Sequence, residues 1–211
     1  MKYVDLFTVW IVALVGFSIS SVRSETSVRR HPDDPKDSLH EAAASGDIKN
    51  LLNILDERVQ DVNARNQEGE TPMHAACIYG HVTIIEALLA HGGDPNVRAN
   101  AKTSLEMNPL TWCTYAGHVD AIRALIKGGA DVNLVVRNAE YEHVTALDIA
   151  LKFLGEDHAA TNEIVEAGGL TWKGLVAEWE TRERRTFSDG DWMHVPGVYV
   201  PEDSKMPVNE L

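Results

Sequence analysis

The sequence predicts an all-α solenoid, a stack of helix pairs closed by a C-terminal helix, and three observations support this prediction. Similar segments begin at residues 37, 71, 108 and 145, at spacings of 34, 37 and 37 residues, and a period in this range is typical of stacked repeats. Glycines divide the first three segments at the same point. Apolar residues at helical spacing follow each of these glycines, which indicates a second helix.

The first half of each unit is predicted to be a short helix that ends at a glycine. In the second unit Met73, Ala75 and Ala76 form its apolar and small-residue stretch, and small residues let neighbouring helices approach closely. Glycine is favoured at the end because a tight turn between helices often needs a positive φ, which costs a residue with a Cβ atom. The glycines at this turn are Gly46, Gly80 and Gly117.

Rows of apolar residues predict the second helix of each unit and its buried face. The rows are Ile48, Leu51, Leu52 and Leu55; Val82, Ile85, Leu88 and Leu89; and Val119, Ile122, Leu125 and Ile126. Glycine pairs at residues 92–93 and 128–129 then end the second helix in two units. An Asp-x-Asn sequence follows each pair and predicts an exposed turn that leads to the next unit.

Two units carry a specific motif, TPMHAACIYGH followed by GGDPN and NPLTWCTYAGH followed by GGADVN. These residues resemble the ankyrin repeat, and the resemblance extends over about residues 37–169. It implies a curved stack of helix pairs with projecting hairpin loops and a concave recognition face. Thr111 and Asp148 depart from the motif, which has His at that position. The predicted units are 37–70, 71–107, 108–144 and 145–169, and the first and last are degenerate, as terminal repeats that face solvent should be.

The segment after the repeats predicts a capping helix over residues 170–187. Apolar side chains recur there at i, i+3, i+4 and i+7, and they are Trp172, Leu175, Val176 and Trp179. A helix with one apolar face suits the open end of a stack, although a partner-binding helix is the alternative. Residues 188–211 contain three prolines and no helical period, so we interpret them as a tail that is either loose or extended along the last repeat.

Residues 1–24 have the layout of a secretory signal peptide, because Lys2 precedes an apolar run from Leu6 to Phe17 and small residues follow it. Asp5 is atypical, since such leaders normally carry positive charge. A retained signal anchor is the alternative, and its contact with a membrane would be confined to residues 4–22. By the positive-inside rule a retained anchor would leave the repeats in the cytosol. Residues 25–36 carry two prolines and mixed charges and are predicted to be a linker.

Net charge and cysteine content narrow the class of protein. The formal net charge is −13, which repels phosphate backbones, so nucleic acid is not an expected partner. Only two cysteines occur, Cys77 and Cys113, too few for a disulfide framework, and we expect two buried free thiols. The last four residues, VNEL, resemble an ER-retention signal only in their final positions.

The sequence carries no recognisable catalytic or cofactor motif. It lacks G-x-G-x-x-G, a P-loop, H-E-x-x-H, C-x-x-C and G-x-S-x-G. We therefore predict no enzyme activity, no cofactor and no metal, and an enzyme site in the last 40 residues is the remaining alternative. The histidines in the repeats are expected to serve structural hydrogen bonds; they are His40 and His74 at the motif position and His81 and His118 at the turn.

Two sets of residues are predicted to contact a protein partner, because the repeat does not need them for folding. The first lies on the concave face of the first helices: Ile78, Tyr79, Tyr115, Lys152 and Phe153. The second lies at the loop tips: Gln67, Glu68, Glu70, Lys102, Glu106, Glu140 and Tyr141. Exposed apolar patches commonly mark partner sites. The alternatives are that Ile78 and Phe153 simply pack against the next repeat, and that the acidic loops are only solvated.

The expected function is therefore non-catalytic protein–protein interaction in the secretory pathway, with the protein secreted or in the ER lumen. The alternative is a membrane-anchored adaptor with cytosolic repeats that localises a client protein. The fate of residues 1–24 separates these two hypotheses.

Overall fold

A computed structural model of the protein describes residues 35–57, 61–99, 106–136 and 143–183. The helices in these residues are α1 (Pro35–Ser45), α2 (Ile48–Asp56), α3 (Pro72–Tyr79), α4 (Val82–Ala90), α5 (Pro109–Ala116), α6 (Val119–Lys127), α7 (Ala146–Phe153), α8 (Ala159–Glu166) and α9 (Trp172–Glu183). Within the described ranges the only β-type pairing is an isolated antiparallel bridge between Val136 and Val144. The predicted all-α fold is confirmed.

The first eight helices form two layers. The inner helices α1, α3, α5 and α7 pack on one another in sequence order, and the outer helices α2, α4, α6 and α8 do the same. Each inner helix also packs against the outer helix that follows it in the chain. This arrangement is the predicted solenoid of helix pairs, in which every unit contacts its neighbours and the core is continuous from unit to unit.

The core lies between the two layers, where the apolar rows predicted it. Leu51, Ile85, Leu88, Ile122 and Leu125 are completely buried. Burial of one such side chain contributes about 1.5–3 kcal/mol relative to its exposure. The outer edges of the rows are partly buried against the same cluster; these residues are Ile48, Val82, Leu89, Val119 and Ile126. Ile84 is also completely buried, although the predicted row did not include it.

The turn between the two helices of a unit requires glycine, as predicted. Gly46, Gly80 and Gly117 have φ values of +73°, +73° and +74°, in the left-handed region that residues with a Cβ atom rarely adopt. The histidine that follows the glycine in units two and three forms a hydrogen bond to the preceding unit. His81 Nε2 donates to the Ala44 carbonyl at 3.1 Å, and His118 Nε2 donates to the Ile78 carbonyl at 3.2 Å.

An asparagine ladder joins the exposed turns of successive units. The Asn63 side chain accepts from the Asp94 N–H at 2.8 Å, and the Asn96 side chain accepts from the Asp131 N–H at 2.8 Å. Asn133 repeats the pattern with the Leu170 N–H at 2.7 Å. Each Asp in these Asp-x-Asn turns also accepts from the backbone N–H of its own Asn, which fixes the turn that presents the amide.

The motif histidine connects one unit to the loop of the next. The Thr71 N–H donates to His74 Nδ1 at 2.9 Å, so the ring proton is on Nε2, which donates to the Met107 carbonyl at 3.2 Å. Asp148 replaces this histidine in the fourth unit, and its carboxylate accepts from the Trp172 N–H at 2.8 Å. The substitution suits its position because the next element is the N-terminus of a helix, which presents donors rather than carbonyls.

Helix α9 covers the C-terminal end of the repeats. Leu175 and Trp179 are buried against Val135 and pack with Leu170 and Trp172. The Thr171 hydroxyl accepts from the Gly174 N–H at 3.1 Å and so caps the start of the helix. The predicted capping helix is thus present over Trp172–Glu183, and the remainder of residues 170–187 after Glu183 lies outside the described residues.

One boundary differs from the sequence-based expectation, and the fourth unit differs from the others. Helix α1 begins at Pro35, within the predicted linker 25–36 and two residues before the predicted start of the repeats, because proline is well suited to the first turn of a helix. The fourth unit has a longer turn between its helices, residues 154–158, where the second and third units need only a glycine and a histidine.

No helix in the described ranges is long and apolar enough to cross a membrane. The predicted signal segment and tail lie outside those ranges.

Candidate functional site

The open side of the inner helices is the candidate site. Residues at i, i+3 and i+4 lie on one face of a helix, and three such positions in each inner helix form a surface that we name the inner face. Its members are Glu41, Ala44, Ser45, Ala75, Ile78, Tyr79, Trp112, Tyr115, Ala116, Ile149, Lys152 and Phe153, of which Ile149 is buried and the others are exposed or half-buried. By its resemblance to the ankyrin repeat, the inner face corresponds to the concave side of the repeat stack.

Exposure differs among the predicted inner-face residues. Tyr79 is 40% exposed and Phe153 is 37% exposed. Lys152 is also exposed, whereas Ile78 and Tyr115 are half-buried. A large apolar side chain that remains exposed on a repeat is not needed for the core, so Tyr79 and Phe153 fit a contact role better than a packing role.

The stack brings aromatic rings of two units together. Tyr115 in α5 and Phe153 in α7 have ring centroids 5.1 Å apart with an interplanar angle of 74°. Trp112 and Tyr115, one turn apart in α5, have centroids 6.3 Å apart at 90°. Edge-to-face arrangements of this kind are favourable for aromatic pairs. We name Trp112, Tyr115 and Phe153 the aromatic cluster.

Trp112 is the residue that the sequence-based site prediction missed. Its position on the repeat is occupied by Glu41, Ala75 and Ile149 in the other units, so a tryptophan there is exceptional in size. The signal was present in the sequence, because Trp112 and Tyr115 are separated by one helical turn and must share a face.

Among the described residues, none accepts a hydrogen bond from the indole N–H of Trp112. Its Nε1 atom is buried and unpaired in the part of the chain that the structure describes, although the whole residue is only half-buried. An unpaired buried donor costs about 1–3 kcal/mol. Because the Nε1 atom itself is buried, this unpaired donor is a cost to the fold at this position and not an accessible contact point.

Tyr79 forms a separate group beside the aromatic cluster. Its ring stacks on His81, with centroids 6.1 Å apart and an interplanar angle of 27°. His81 is in turn held by its bond to the Ala44 carbonyl, so the Tyr79 ring rests on a fixed partner. The predicted inner-face residues thus form two groups, one in the second unit and one across the third and fourth.

The inner face is poor in negative charge although the chain is acidic. Glu41 in α1 is its only carboxylate, and Lys152 is its only basic residue. The Lys152 ammonium lies 5.4 Å from the centre of the Phe153 ring, a favourable cation–π distance. Burial raises the pKa of Tyr115, so this phenol stays protonated and remains able to donate.

The predicted loop-tip residues differ in exposure, and some of them lie outside the described ranges. Gln67 and Glu68 are exposed, and Glu70 is half-buried. Arg65 stabilises this turn by donating to the Gly69 and Arg98 carbonyls. Glu106 is half-buried and has a φ of +55°. Lys102, Glu140 and Tyr141 lie outside the described residues. A partner-binding role for this set stays a prediction.

The two cysteines lie in the core of the described residues. Cys77 and Cys113 are free and buried, and burial together with a contact to Cys113 raises the pKa of the Cys77 thiol, which disfavours the reactive thiolate. Across the described ranges no three His, Cys, Asp or Glu side chains are grouped so that they could hold a metal ion.

Comparison with known proteins agrees with the helix-pair geometry. The profile "Ankyrin repeats (3 copies)" matches residues 39–136, which include α1 from Leu39 onward and the whole of α2 to α6. The repeat region belongs to the ankyrin-repeat family. The pair α7 and α8 follows the matched region and packs on it in the same two layers, so the structure adds a fourth helix pair to the ankyrin stack.

Individual relatives match only part of the chain. The chain is 36% identical over 61 residues to ankyrin repeat domain-containing protein 49 of Bos taurus, which is 29% of this chain and 26% of that protein. It is 35% identical over 75 residues to ankyrin repeat domain-containing protein 7 of Homo sapiens, 35% of this chain and 30% of that protein. It is 42% identical over 53 residues to acyl-CoA-binding domain-containing protein 1 of Arabidopsis thaliana, 25% of this chain and 15% of that protein. The chain thus spans less than a third of the length of each of these relatives.

Proposed function

We propose that this ankyrin-repeat chain is a non-catalytic module that binds a protein partner through the inner face. Ankyrin repeats are protein–protein interaction modules and are typically non-catalytic. The observation that carries the proposal for this chain is the aromatic cluster, in which Trp112, Tyr115 and Phe153 occupy open positions of neighbouring inner helices. At each of these three positions another unit holds alanine or serine, so the fold does not require large rings there.

Rigidity supports a binding role for this surface. The inner helices are fixed by the glycine turns, the histidine bonds and the asparagine ladder, so the rings are positioned before a partner arrives. A preorganised surface binds with a smaller loss of conformational entropy than a flexible one. Tryptophan and tyrosine are also the residue types that most often dominate interface energies.

Charge limits the class of partner. The net charge of −13 disfavours an acidic partner at long range and favours a basic or neutral one. The inner face contributes little to this negative charge, because it carries one carboxylate, Glu41, at its N-terminal end. We therefore propose a partner that is apolar at the contact and not strongly acidic around it.

Tyr79→Ala combined with Tyr115→Ala tests the surface. Alanine is compatible with the repeat at both positions, since Ala116 and Ala44 occupy them in other units. We expect the double variant to lose at least about 2 kcal/mol of binding, roughly a thirtyfold weaker complex. The measurement is quantitative affinity capture of partners from the source cells, with wild-type and variant chains at matched concentrations.

Val165→Ala is the matched control. Val165 is 53% exposed and lies in the outer helix α8, so its truncation removes exposed apolar surface away from the inner face. Capture should be unchanged in this variant. Full capture by the double tyrosine variant would contradict binding through the inner face, and equal losses in both variants would indicate a general effect on the fold.

We propose further that the module works in the secretory pathway, either secreted or in the ER lumen. The signal-like layout of residues 1–24 supports this proposal. The second candidate is a membrane-anchored adaptor with cytosolic repeats, which the same segment supports if it is retained, since basic residues follow it.

The intact mass of the protein from its own cells separates the two. A mass that lacks about the first 20–24 residues supports the secretory proposal. A full-length mass in the membrane fraction supports the anchored adaptor and contradicts lumenal residence.

A further inference from the structure

We propose that Cys77 and Cys113 form a disulfide bond that links the second and third units of the stack, with a small-molecule disulfide such as glutathione disulfide as the oxidant. Such a bond is a covalent modification of the core and does not depend on the partner-binding proposal. The observation that carries it is that the only two cysteines of the chain contact each other across two successive inner helices.

The two thiols meet where α3 packs on α5. Cys77 lies in α3 and Cys113 lies in α5, and these helices contact each other directly. Both side chains are completely buried in the same apolar cluster, and both thiols are free. The Cys77 side chain contacts the side chain and the backbone of Cys113, so the two sulfur atoms are neighbours in the core.

Small residues occupy the same two repeat positions between the other units. The corresponding pairs are Ala43 with Ala76, between the first and second units, and Thr114 with Ala150, between the third and fourth. All four residues are buried completely. Small side chains let the helix backbones come close, and a disulfide needs a Cα separation of about 4.4–6.8 Å. Since alanine suffices elsewhere in the stack, the fold does not require sulfur at either position.

The reaction is a pair of successive thiol–disulfide exchanges. One cysteine thiolate attacks a sulfur atom of glutathione disulfide, forms a mixed disulfide and releases one glutathione thiolate. The other cysteine thiolate then attacks the protein sulfur of that mixed disulfide, forms the bond between Cys77 and Cys113 and releases the second glutathione. The two protein thiols lose two protons and two electrons, and glutathione disulfide takes them up as two molecules of glutathione.

Burial controls the rate of this reaction in both directions. Burial and the contact with Cys113 raise the pKa of the Cys77 thiol, so the closed fold contains little of the thiolate that attacks a disulfide. Oxidation therefore requires local opening between the second and third units. Reduction requires the same opening, because the bond is buried again once the units close over it.

Equilibration of the full chain with glutathione buffers of graded redox ratio tests the proposal. Alkylation with N-ethylmaleimide and intact mass count the free thiols, both for the folded chain and in concentrated urea. The result is the effective concentration of the thiol pair, which in urea reflects only diffusion of the chain. We expect an effective concentration at least about thirtyfold higher in the folded chain, because a fold that accommodates the bond favours it as much as the bond favours the fold.

Cys113→Ala combined with Thr114→Cys is the matched control. It keeps two thiols and almost the same sequence separation, but it rotates the second thiol by about 100° around α5 and away from Cys77. Alanine is compatible with the repeat at residue 113, since Ala76 and Ala150 occupy that position in other units. The control should match the wild-type chain in urea and have an effective concentration at least about tenfold lower when folded.

A higher effective concentration in the folded wild-type chain than in urea, lost in the control, supports the disulfide. A folded value equal to the urea value or below it overturns the proposal, because the native packing then does not accommodate the bond. Equal folded values for wild type and control overturn it too, as does a folded chain that retains glutathione on one cysteine while the other stays free. If the control does not fold, the comparison of folded and unfolded wild-type chains decides the outcome.

Discussion

His74 shows how a single repeat position couples the fold to pH. The ring is fully buried between the Thr71 N–H and the Met107 carbonyl. Burial is the main cause that lowers the pKa of His74 from 6.5 to about 3. The folded chain therefore keeps this imidazole neutral at pH values at which the unfolded chain protonates it.

The stability of the protein should decrease as the pH falls below about 6.5. The unfolded state binds a proton at His74 below that pH and the folded state does not until about pH 3, so protonation favours unfolding across this interval. Between pH 7 and pH 5 we expect this residue to cost about 2 kcal/mol of unfolding free energy. Urea unfolding of the full chain at the two pH values measures the difference.

His74→Thr is the matched variant, because Thr111 occupies the same position in the next unit. It should be less stable at pH 7 by about 1–3 kcal/mol, since the Met107 carbonyl loses its donor. It should also show a smaller loss of stability between pH 7 and pH 5 than the wild-type chain. An identical pH dependence in both proteins would assign the effect to other groups.

At the scale of the element, the turn between inner and outer helices is defined by its glycine and by the histidine of the next unit. A Cβ atom on Gly80 would lie 2.7 Å from His118 Nδ1, so the absence of a side chain is needed for the contact as well as for the positive φ. At Gly117 the equivalent Cβ would meet Leu154 at an ordinary 3.5 Å.

Gly80→Ala should destabilise the protein more than Gly117→Ala. The two glycines have the same backbone conformation, with φ values of +73° and +74°, so both variants incur about 1–2 kcal/mol for a left-handed alanine. Gly80→Ala also displaces His118 and disturbs its bond to the Ile78 carbonyl, which adds about 1 kcal/mol. Chemical unfolding measures both, and equal losses would show that the close approach of His118 has no energetic weight.

The sequence predicted the elements because their signals are local. The spacing of Leu51, Ile85 or Ile122 within a helix and the glycine at its end depend on neighbours in the chain. The ladder bonds of Asn63 and Asn96 could not be predicted in the same way, since each amide bonds to a turn about one unit away. The motif showed an exposed turn but not its partner.

The candidate site was predictable to the extent that it lies within one helix. Tyr79 and Tyr115 follow from their positions on the first helices, and Trp112 could have been added by the same rule. The contact between Tyr115 and Phe153 depends on the offset between stacked units, which places different repeat positions opposite each other. That offset is a property of the packing, and one sequence does not reveal it.

At the scale of the whole molecule, continuity between units supports the functional proposal. Inner helices pack on inner helices and outer on outer, and α9 covers the last pair through Leu175 and Trp179. The inner face therefore extends over four units as one surface. A partner that binds there should protect several inner helices together and leave the outer layer unchanged.

Amide hydrogen exchange of the full chain, alone and in complex with a captured partner, tests this claim most directly. Exchange should slow in peptides from α3, α5 and α7, which contain Tyr79, Tyr115 and Phe153, while peptides from α4, α6 and α8 keep their rates. Protection confined to the outer helices, or to the loop at residues 61–70, would contradict recognition through the inner face and would favour the loop tips as the site.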